Sequence, residues 1–281
     1  VRKTKALMFH KIGDVARLQT DSMIISGFIN VTLVGYVGNY NMILTSVSNF
    51  VNIIFNSVLS SFGNLIATES REKQYQVFRV YRFFACWIYG FSAVGFFLLL
   101  TPLIMLWPSV GPGKVLPVAV VACILTDYYF KGDRIVLSNF KTAAGVFEQD
   151  KYLALIQGGV NLIISIVLVQ RIGLVGVYIG TIVSGLIANV TKPFIIYKTC
   201  FDKDVKTYFM DSIRYLTVIL GILAVMWVVK SMIMQEVTIF SFAGMFVLIS
   251  VVFNGVFLLI FGRTEEFRYL WRIIENKRRR R

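Results

Sequence analysis

The chain has 281 residues, of which 57% are hydrophobic and 16% are charged, and its formal net charge is +14. Its mean hydropathy is +0.71, whereas soluble domains carry about 25% charged residues and lack long uncharged apolar runs. These values exclude an ordinary soluble protein. Because the apolar runs are continuous and do not alternate with polar residues, they predict an α-helical membrane protein and argue against a transmembrane β-barrel.

Eight stretches are apolar and long enough, or nearly so, to cross a bilayer, which takes about 20 helical residues. They cover residues 10–30, 38–66, 80–107, 115–139, 152–170, 173–197, 209–230 and 238–261. The sequence therefore predicts an all-α, polytopic membrane fold with about eight transmembrane helices.

The first stretch carries a polar stripe. His10, Asp14, Arg17 and Asp21 are spaced four, three and four residues apart, which places them on one face of a helix. A charge at the bilayer centre costs about 2.5–3.5 kcal/mol on insertion scales, so such residues are candidates for function. We interpret Asp14, Arg17 and Asp21 as one wall of an aqueous cavity. The alternatives are a buried ion-pair network and a helix start that still lies at the membrane interface.

The second stretch carries a neutral polar stripe. Asn49, Asn52 and Asn56 follow one helical face, together with Thr45 and Ser60. Their amide groups donate and accept hydrogen bonds without charge, which suits a polyhydroxylated ligand. The same residue types also hold transmembrane helices together. Both interpretations stay open, and the three asparagines are candidates for the lining of a substrate path.

The fourth stretch ends in "DYYFKGDRIVLSNFKTAAG", where the helical period places Asp127, Lys131, Arg134 and Lys141 on one face and Asp133 on another. Asp127 can pair with Lys131 four residues later, which leaves Arg134 as the freer cation. Two cations beside a cavity suit a phosphate or carboxylate ligand. The alternative is that the helix leaves the bilayer at the two tyrosines and the charges beyond them are solvated. The apolar run before Lys131 is short for a span, which favours a helix that continues past Arg134.

The distribution of basic residues predicts the topology. With the N-terminus in the cytoplasm, twenty-two lysines and arginines fall on the cytoplasmic side, whereas the other side receives only Lys114, Arg171 and Lys230. Cytoplasmic loops of membrane proteins carry such an excess. Both ends of the chain are therefore predicted to be cytoplasmic, and the net charge gives no reason to expect a nucleic acid partner.

No catalytic signature is present. The scattered cysteines Cys86, Cys123 and Cys200 are predicted to be packing residues, and a single histidine cannot build a histidine metal site. The "DKD" of residues 202–204 fits a solvated loop better than a metal site. The sequence lacks a Walker A motif, an HExxH motif and a nucleophile elbow. We expect neither an enzyme nor a cofactor.

Three segments resemble a known family. "HKIGDVARLQTDSMIIS", "VGYVGNYNMILTSVSNFVNIIFNSVLSSFGNLIATES" and "SNFKTAAGVFEQDKYLALIQGGVNLIISIVLVQRIGLVGVYIGT" look like the second half of Wzx-type polysaccharide flippases of the MOP exporter superfamily. Such proteins typically have two six-helix bundles around a central cavity, sometimes followed by two extra helices. The resemblance implies a C-terminal bundle in residues 1–200, the extra pair in 201–262 and a cytoplasmic basic tail in 263–281. It also implies an N-terminal bundle that this chain does not contain.

The resemblance further implies an activity in the cell membrane, the flipping of an undecaprenyl-diphosphate-linked oligosaccharide by alternating access between two bundles. Coupling to a proton or sodium gradient would use the carboxylates Asp14 and Asp21. The alternatives are a multidrug or other small-molecule exporter of the same fold, a membrane-embedded polysaccharide polymerase and a scaffold that transports nothing. A polymerase usually needs a large external loop, and the predicted external segments are short.

Overall fold

The structure, a computed structural model, describes residues 20–108, 110 and 112–279. Within these ranges the chain is helical and has no β-strand. The described part of α1 covers residues 20–28. It is followed by α2 (Val31–Asn56), α3 (Leu59–Thr68), α4 (Arg71–Leu106), α5 (Val118–Asp133), α6 (Ile135–Ala143), α7 (Leu153–Ile172), α8 (Leu174–Ile196), α9 (Lys206–Ile233), α10 (Ile239–Phe261) and α11 (Glu265–Arg279). A π-helical turn, Tyr197–Phe201, extends α8.

The prediction of a polytopic helical membrane protein is confirmed. In the described part of the chain, six segments are long and apolar enough to cross a membrane. They are Val31–Thr68, Arg71–Leu106, Leu153–Ile172, Leu174–Phe201, Lys206–Ile233 and Ile239–Phe261. The predicted fourth span corresponds to α5 and α6, which meet at Arg134, where φ is −94° and ψ is 0° and the regular helical hydrogen-bond pattern is interrupted. Of the predicted first span, only residues from 20 onward are described.

The helices alternate in direction. Phe83 packs on Phe261 and Phe91 on Phe253, so α10 runs antiparallel to α4. By the same reasoning α9 runs parallel to α4, because its beginning and its end contact the corresponding parts of α4. One end of the bundle therefore contains the connections at residues 68–71, 143–153, 201–206 and 261–265. We call it the basic end, because most of the basic residues counted above lie there.

The helix α4 is shared by two apolar clusters. One cluster joins α4 to α2, α5, α6 and α8, and includes Phe78, Leu137 and Phe140. The other joins α4 to α9 and α10, and includes Ile249 and Phe253. Tight packing is what holds such helices together in lipid, where the surrounding solvent is as apolar as the side chains. The predicted extra pair of helices is therefore packed on the central helix.

A proline in α4 creates a second link to α9. Pro102 lacks the N–H group that would bond to the carbonyl of Leu98, four residues earlier. Lys230 of α9 donates its Nζ to this carbonyl at 2.6 Å. The freed backbone acceptor is thus satisfied by a side chain, as membrane helices with an interior proline require.

The α7–α8 hairpin is the closest helix pair in the described chain. Gly173 turns the chain with φ +62°, a conformation that glycine adopts without strain. A Cβ on Gly176 would lie 2.5 Å from the backbone C and O of Leu168, so the two helices touch backbone to backbone. Small residues permit this approach in membrane helices.

The structure corrects the topology count for basic residues that lie inside the packed helices, of which Arg82 is the clearest case. Arg82 is predicted to lie in a cytoplasmic loop, but it is 2% exposed and lies inside the bundle between α4, α5 and α9. The reason is that α4 is helical from Arg71 onward, so this basic residue is part of the packed helix. Part of the predicted basic tail is also ordered, since α11 packs Phe267 on Trp87.

Candidate functional site

A cluster of oxygen atoms joins α1, α7 and α8. Thr181 donates its hydroxyl to Asp21 Oδ2 at 2.9 Å, and Asn161 Nδ2 donates to Thr181 Oγ1 at 3.0 Å. Ser165 donates to the backbone carbonyl of Val177 at 3.0 Å. The cluster therefore contains one carboxylate, one amide, two hydroxyls and one carbonyl, and its α7 and α8 members lie in segments long and apolar enough to cross a membrane.

The local sequence explains why this cluster forms. Asn161 and Ser165 lie one turn apart on α7, and Thr181 follows Val177 by one turn on α8. Gly180 completes the approach, because a Cβ there would lie 2.2 Å from Ser165 Oγ. The four polar residues Asn161, Ser165, Thr181 and Ser184 are buried, three of them within this cluster.

The cluster has the chemistry of a small hard cation site. The Oδ1 atom of Asn161 is buried and accepts no hydrogen bond from the described residues. Carboxylate, amide, hydroxyl and carbonyl oxygens are the ligands that hard cations prefer. The described residues contain no group of three His, Cys, Asp or Glu side chains that could hold a transition metal. A cation here would be a weakly held ion or a proton on Asp21.

A second polar group lies on α5. Lys131 Nζ is 2.5 Å from Asp127 Oδ2, which is the pair that the four-residue spacing predicts. The Lys131 side chain is 49% exposed, so its ammonium can also reach a ligand. Tyr178 of α8 lies within electrostatic range of both Asp21 and Asp127, and its hydroxyl pairs with the side chain of Asn41. The oxygen cluster and the Lys131 pair are therefore linked through Tyr178, and we call these groups, together with Asn41 of α2, the polar surface of α1, α2, α5 and α8.

The asparagine stripe of α2 divides into two kinds of residue. Asn52 is half-buried and accepts a hydrogen bond from the Tyr89 hydroxyl at 3.1 Å, which is a helix-packing contact. Asn49 and Asn56 are exposed on the outside of the described helices. The packing interpretation thus applies to Asn52, while the other two remain available to a ligand.

The structure corrects the prediction that Arg134 is the freer cation. Arg134 is buried at 8% exposure, and its Nη1 donates to the Gly185 carbonyl at 3.0 Å and also to Asn189 Oδ1. Asn189 in turn donates to the Phe130 carbonyl at 3.1 Å. Arg134 therefore fastens the α5–α6 connection to α8, and Lys131 is the more accessible cation.

The prediction that the charged face continues beyond Arg134 to Lys141 is also wrong. Lys141 is buried and its Nζ lies 2.5 Å from Asp150 Oδ2. Ser138 accepts a hydrogen bond from Lys192 at 3.0 Å. The spacing argument assumed one regular helix, and the break at Arg134 ends that regularity. Asp14 and Arg17, the other charged candidates of the first span, lie outside the described residues, so their role stays a prediction.

Sequence reasoning missed a buried charge cluster around Asp133. Arg82 Nη2 lies 3.5 Å from Asp133 Oδ1, and Asp133 Oδ2 accepts hydrogen bonds from Tyr208 at 3.0 Å and Ser212 at 3.1 Å. The available signal was an arginine within the apolar run "VYRFFACW" together with an aspartate that left the predicted polar face. Its partner residues are more than fifty positions apart, which spacing within one helix does not show.

An apolar groove lies between α2, α4 and α10. It has a volume of about 380 Å³. Ile43 and Val47 of α2 form one wall, and Gly95, Phe96 and Phe246 contribute to the rest. The helix α2 therefore presents amides on one side and borders the apolar groove on another.

Comparison with known proteins identifies the fold. No protein-family model matches the chain, and no curated protein sequence matches it. Among solved structures the chain is similar to the lipid II flippase MurJ in an inward closed conformation, with a TM-score of 0.55 and 17% identity. The match covers 92% of this chain and 53% of the MurJ chain, so the chain spans about half of that protein's length. The chain therefore shares its fold with about half of the MurJ chain.

Proposed function

We propose that this chain is the C-terminal part of a flippase that moves a lipid-linked oligosaccharide across the cell membrane for cell-surface polysaccharide biosynthesis. The observation that carries this proposal is the position of Lys131, a half-exposed cation on the polar surface of α1, α2, α5 and α8, in a fold shared with a lipid II flippase. The substrate proposed for this chain combines a charged diphosphate, sugars and a long apolar chain. The substrate proposed here is linked through undecaprenyl diphosphate.

Each part of such a substrate has a chemical counterpart in the structure. The ammonium of Lys131 suits a diphosphate, because phosphate oxygens accept charge-assisted hydrogen bonds from lysine. The exposed amides of Asn49 and Asn56 suit sugar hydroxyls. The apolar groove beside α2 suits part of the polyprenyl chain. Asp127 holds Lys131 in place at 2.5 Å until the anionic ligand competes for it.

The oxygen cluster is proposed as the site of the coupling ion. Asp21 can carry a proton, and together with Asn161 Oδ1 and Thr181 Oγ1 it can bind sodium. Because Tyr178 lies near both Asp21 and Asp127, the charge state of Asp21 acts on the Lys131 pair across a short distance. The ion and the substrate headgroup would then influence each other's binding, as coupling requires.

The remaining features of the proposal follow from the helix arrangement. The basic end is placed in the cytoplasm, in agreement with the excess of lysine and arginine at that end. Transport proceeds by alternating access between this bundle and an N-terminal bundle of the same protein. The exposed faces of α1 and α2 would meet that bundle across the substrate path, with Asp14 and Arg17 on the same path.

A multidrug exporter of the same fold is the main rival. Drug exporters of broad specificity favour apolar or cationic compounds, whereas an exposed lysine on the path favours an anionic headgroup. The two functions are separated by what accumulates in cells that lack the protein, which is a lipid-linked oligosaccharide in one case and the exported compound in the other.

The test uses the complete protein in its host cell after deletion of the chromosomal gene. We expect the deletion to abolish surface polysaccharide and to trap the undecaprenyl-linked oligosaccharide in the inner leaflet. In the deletion strain, Lys131→Ala should neither restore surface polysaccharide nor release the trapped oligosaccharide. Lys131→Arg should restore surface polysaccharide in part. Lys206→Ala is the matched control, because the Lys206 side chain is 83% exposed and lies outside the proposed path. Normal surface polysaccharide in the deletion strain would refute the function, and full activity of Lys131→Ala would refute the site.

A further inference from the structure

The connection between α5 and α6 is held from two opposite sides. We call Asp133 and Arg134 the α5–α6 joint. Arg134 bonds to Gly185 and Asn189 of α8. Asp133 points the other way and bonds to residues of α4 and α9. Two consecutive side chains therefore hold the joint between α8 on one side and α4 and α9 on the other.

The contacts of Asp133 come in large part from α9. Tyr208 and Ser212 both donate hydroxyl hydrogen bonds to Asp133 Oδ2, at 3.0 and 3.1 Å. From α4, Arg82 Nη2 lies 3.5 Å from Oδ1, and Cys86 Sγ lies 3.4 Å from the same atom. A carboxylate offers about four acceptor positions, so the two hydroxyls of α9 supply a large share of its bonds.

Arg82 cannot hold Asp133 alone, because it has other partners. Its Nη2 donates to the Tyr208 carbonyl at 2.9 Å and to Ser212 Oγ, and its guanidinium lies 3.5 Å from the centre of the Tyr208 ring. Its Nη1 lies 3.7 Å from Asp211 Oδ2. Contacts with α9 therefore position the Arg82 side chain that pairs with Asp133 of α5.

The charge cluster continues to the last helix. Arg79 lies 3.8 Å from Asp211 and 2.6 Å from Glu266 of α11. Acidic and basic side chains thus alternate from Glu266 through Arg79, Asp211 and Arg82 to Asp133. The ordering of α9 at the basic end is in this way tied to α11, and the whole row ends at the α5–α6 joint.

We propose that the N-terminal part of α9 is a positioning element that, through Tyr208 and Ser212, fixes the angle between α5 and α6. Lys131 lies on α5, two residues before the joint. The angle between α5 and α6 therefore determines the position of its ammonium relative to α6. The consequence for transport rests on the proposed function, whereas the effect on the angle does not. On this inference α9 sets the geometry of the substrate path from outside it.

The test measures the angle directly by electron paramagnetic resonance on the complete protein. Spin labels are placed at Thr126 of α5 and Thr142 of α6, which are both exposed and about 24 Å apart along a helix at 1.5 Å per residue. Cys123 and Cys200 are replaced by alanine, while Cys86 is 0% exposed and stays.

The test variant is Tyr208→Phe with Ser212→Ala, which removes both hydroxyls and keeps the ring over Arg82. We expect its distance distribution to at least double in width or to shift in its maximum. The control, Tyr215→Phe with Thr217→Ala, removes two hydroxyl groups and one methyl group from the next turns of α9, where neither hydroxyl contacts Asp133 in the described structure. Its distribution should equal that of the parent.

The outcomes separate this inference from the proposed function. An unchanged distribution in the test variant overturns the positioning role, whatever the protein transports. If the double variant does not accumulate in the membrane, Tyr208→Phe is measured alone, and an unchanged distribution there overturns the inference equally. A changed angle in a protein whose deletion leaves surface polysaccharide normal supports the inference and rejects the function. Where both hold, transport by the test variant should fall severalfold while the control transports normally.

Discussion

A methyl group on Gly176 provides a sharp test of the α7–α8 hairpin. In Gly176→Ala the new Cβ would lie 2.5 Å from the backbone C and O of Leu168. Carbon atoms pack at about 3.5 Å or more, so the two helices would have to separate locally by about 1 Å. The contacting atoms are backbone atoms, which no side-chain rotation can move. The separation would lengthen the Ser165–Val177 hydrogen bond one residue away.

The expected cost follows from the behaviour of overpacked sites. Extra methyl groups in closely packed interiors cost about 1–3 kcal/mol, and about 2–4 °C of Tm is lost per kcal/mol in domains of this order of size. We therefore expect Gly176→Ala to unfold about 2–12 °C below the parent. Gly159→Ala on α7 is the control, since nothing lies within 4 Å of its Cβ and alanine favours the helix by up to about 1 kcal/mol.

The measurement is thermal unfolding of the complete protein in detergent, followed by tryptophan fluorescence. The control should unfold at or above the temperature of the parent. If Gly176→Ala also unfolds at the parent temperature, the helices are not in backbone contact, and the oxygen cluster that depends on this contact loses its support.

Three further predictions concern the groove, the charge cluster and the ion site. Gly95→Phe should fill part of the 380 Å³ groove and reduce transport severalfold at unchanged protein level. The control is Gly221→Phe on α9, an exposed position that also has nothing within 4 Å of a Cβ, and it should transport normally. Equal transport by both variants would show that the groove holds no substrate. Arg82→Met should lower the free energy of unfolding by about 3–5 kcal/mol in thermal or denaturant melts, because it leaves the carboxylate of Asp133 buried without its cation. A loss below about 1 kcal/mol, which is typical of an exposed ion pair, would contradict the buried pairing of Arg82 with Asp133. Asp21→Asn should abolish the dependence of transport on a sodium or proton gradient in vesicles, while Asp21→Glu should retain part of it, and an unchanged dependence in Asp21→Asn would remove Asp21 from the coupling site.

The last two spans could be predicted from the sequence to within a few residues, whereas α2 and α4 begin seven and nine residues before the predicted spans at 38 and 80. The predicted spans 209–230 and 238–261 correspond to Lys206–Ile233 and Ile239–Phe261. Such spans follow from the length of uninterrupted apolar chain that a bilayer needs. The structural similarity to MurJ supports the helical fold that the resemblance implied, while membership of the MOP superfamily and the narrower resemblance to Wzx-type flippases stay proposals.

The candidate site was predicted less completely, for two physical reasons. Spacing arguments assume a regular helix, and the break at Arg134 invalidated them for Arg134 and Lys141. Small neutral residues also change hydropathy very little, so Asn161 and Thr181 were hidden in spans that are otherwise apolar. Their importance lies in contacts between helices, which depend on tertiary packing and cannot be seen within one helix.

The two links between α4 and α9 restrict the motions that the protein can make. Near the basic end Arg82 is bonded to Tyr208 and Ser212, and near the other end Lys230 is bonded to the Leu98 carbonyl that Pro102 leaves free. Helices that shear past one another exchange such partners at every step, and here both ends would have to break together. The register of α9 on α4 is therefore fixed at both ends, and we expect these two helices to move as one rigid body.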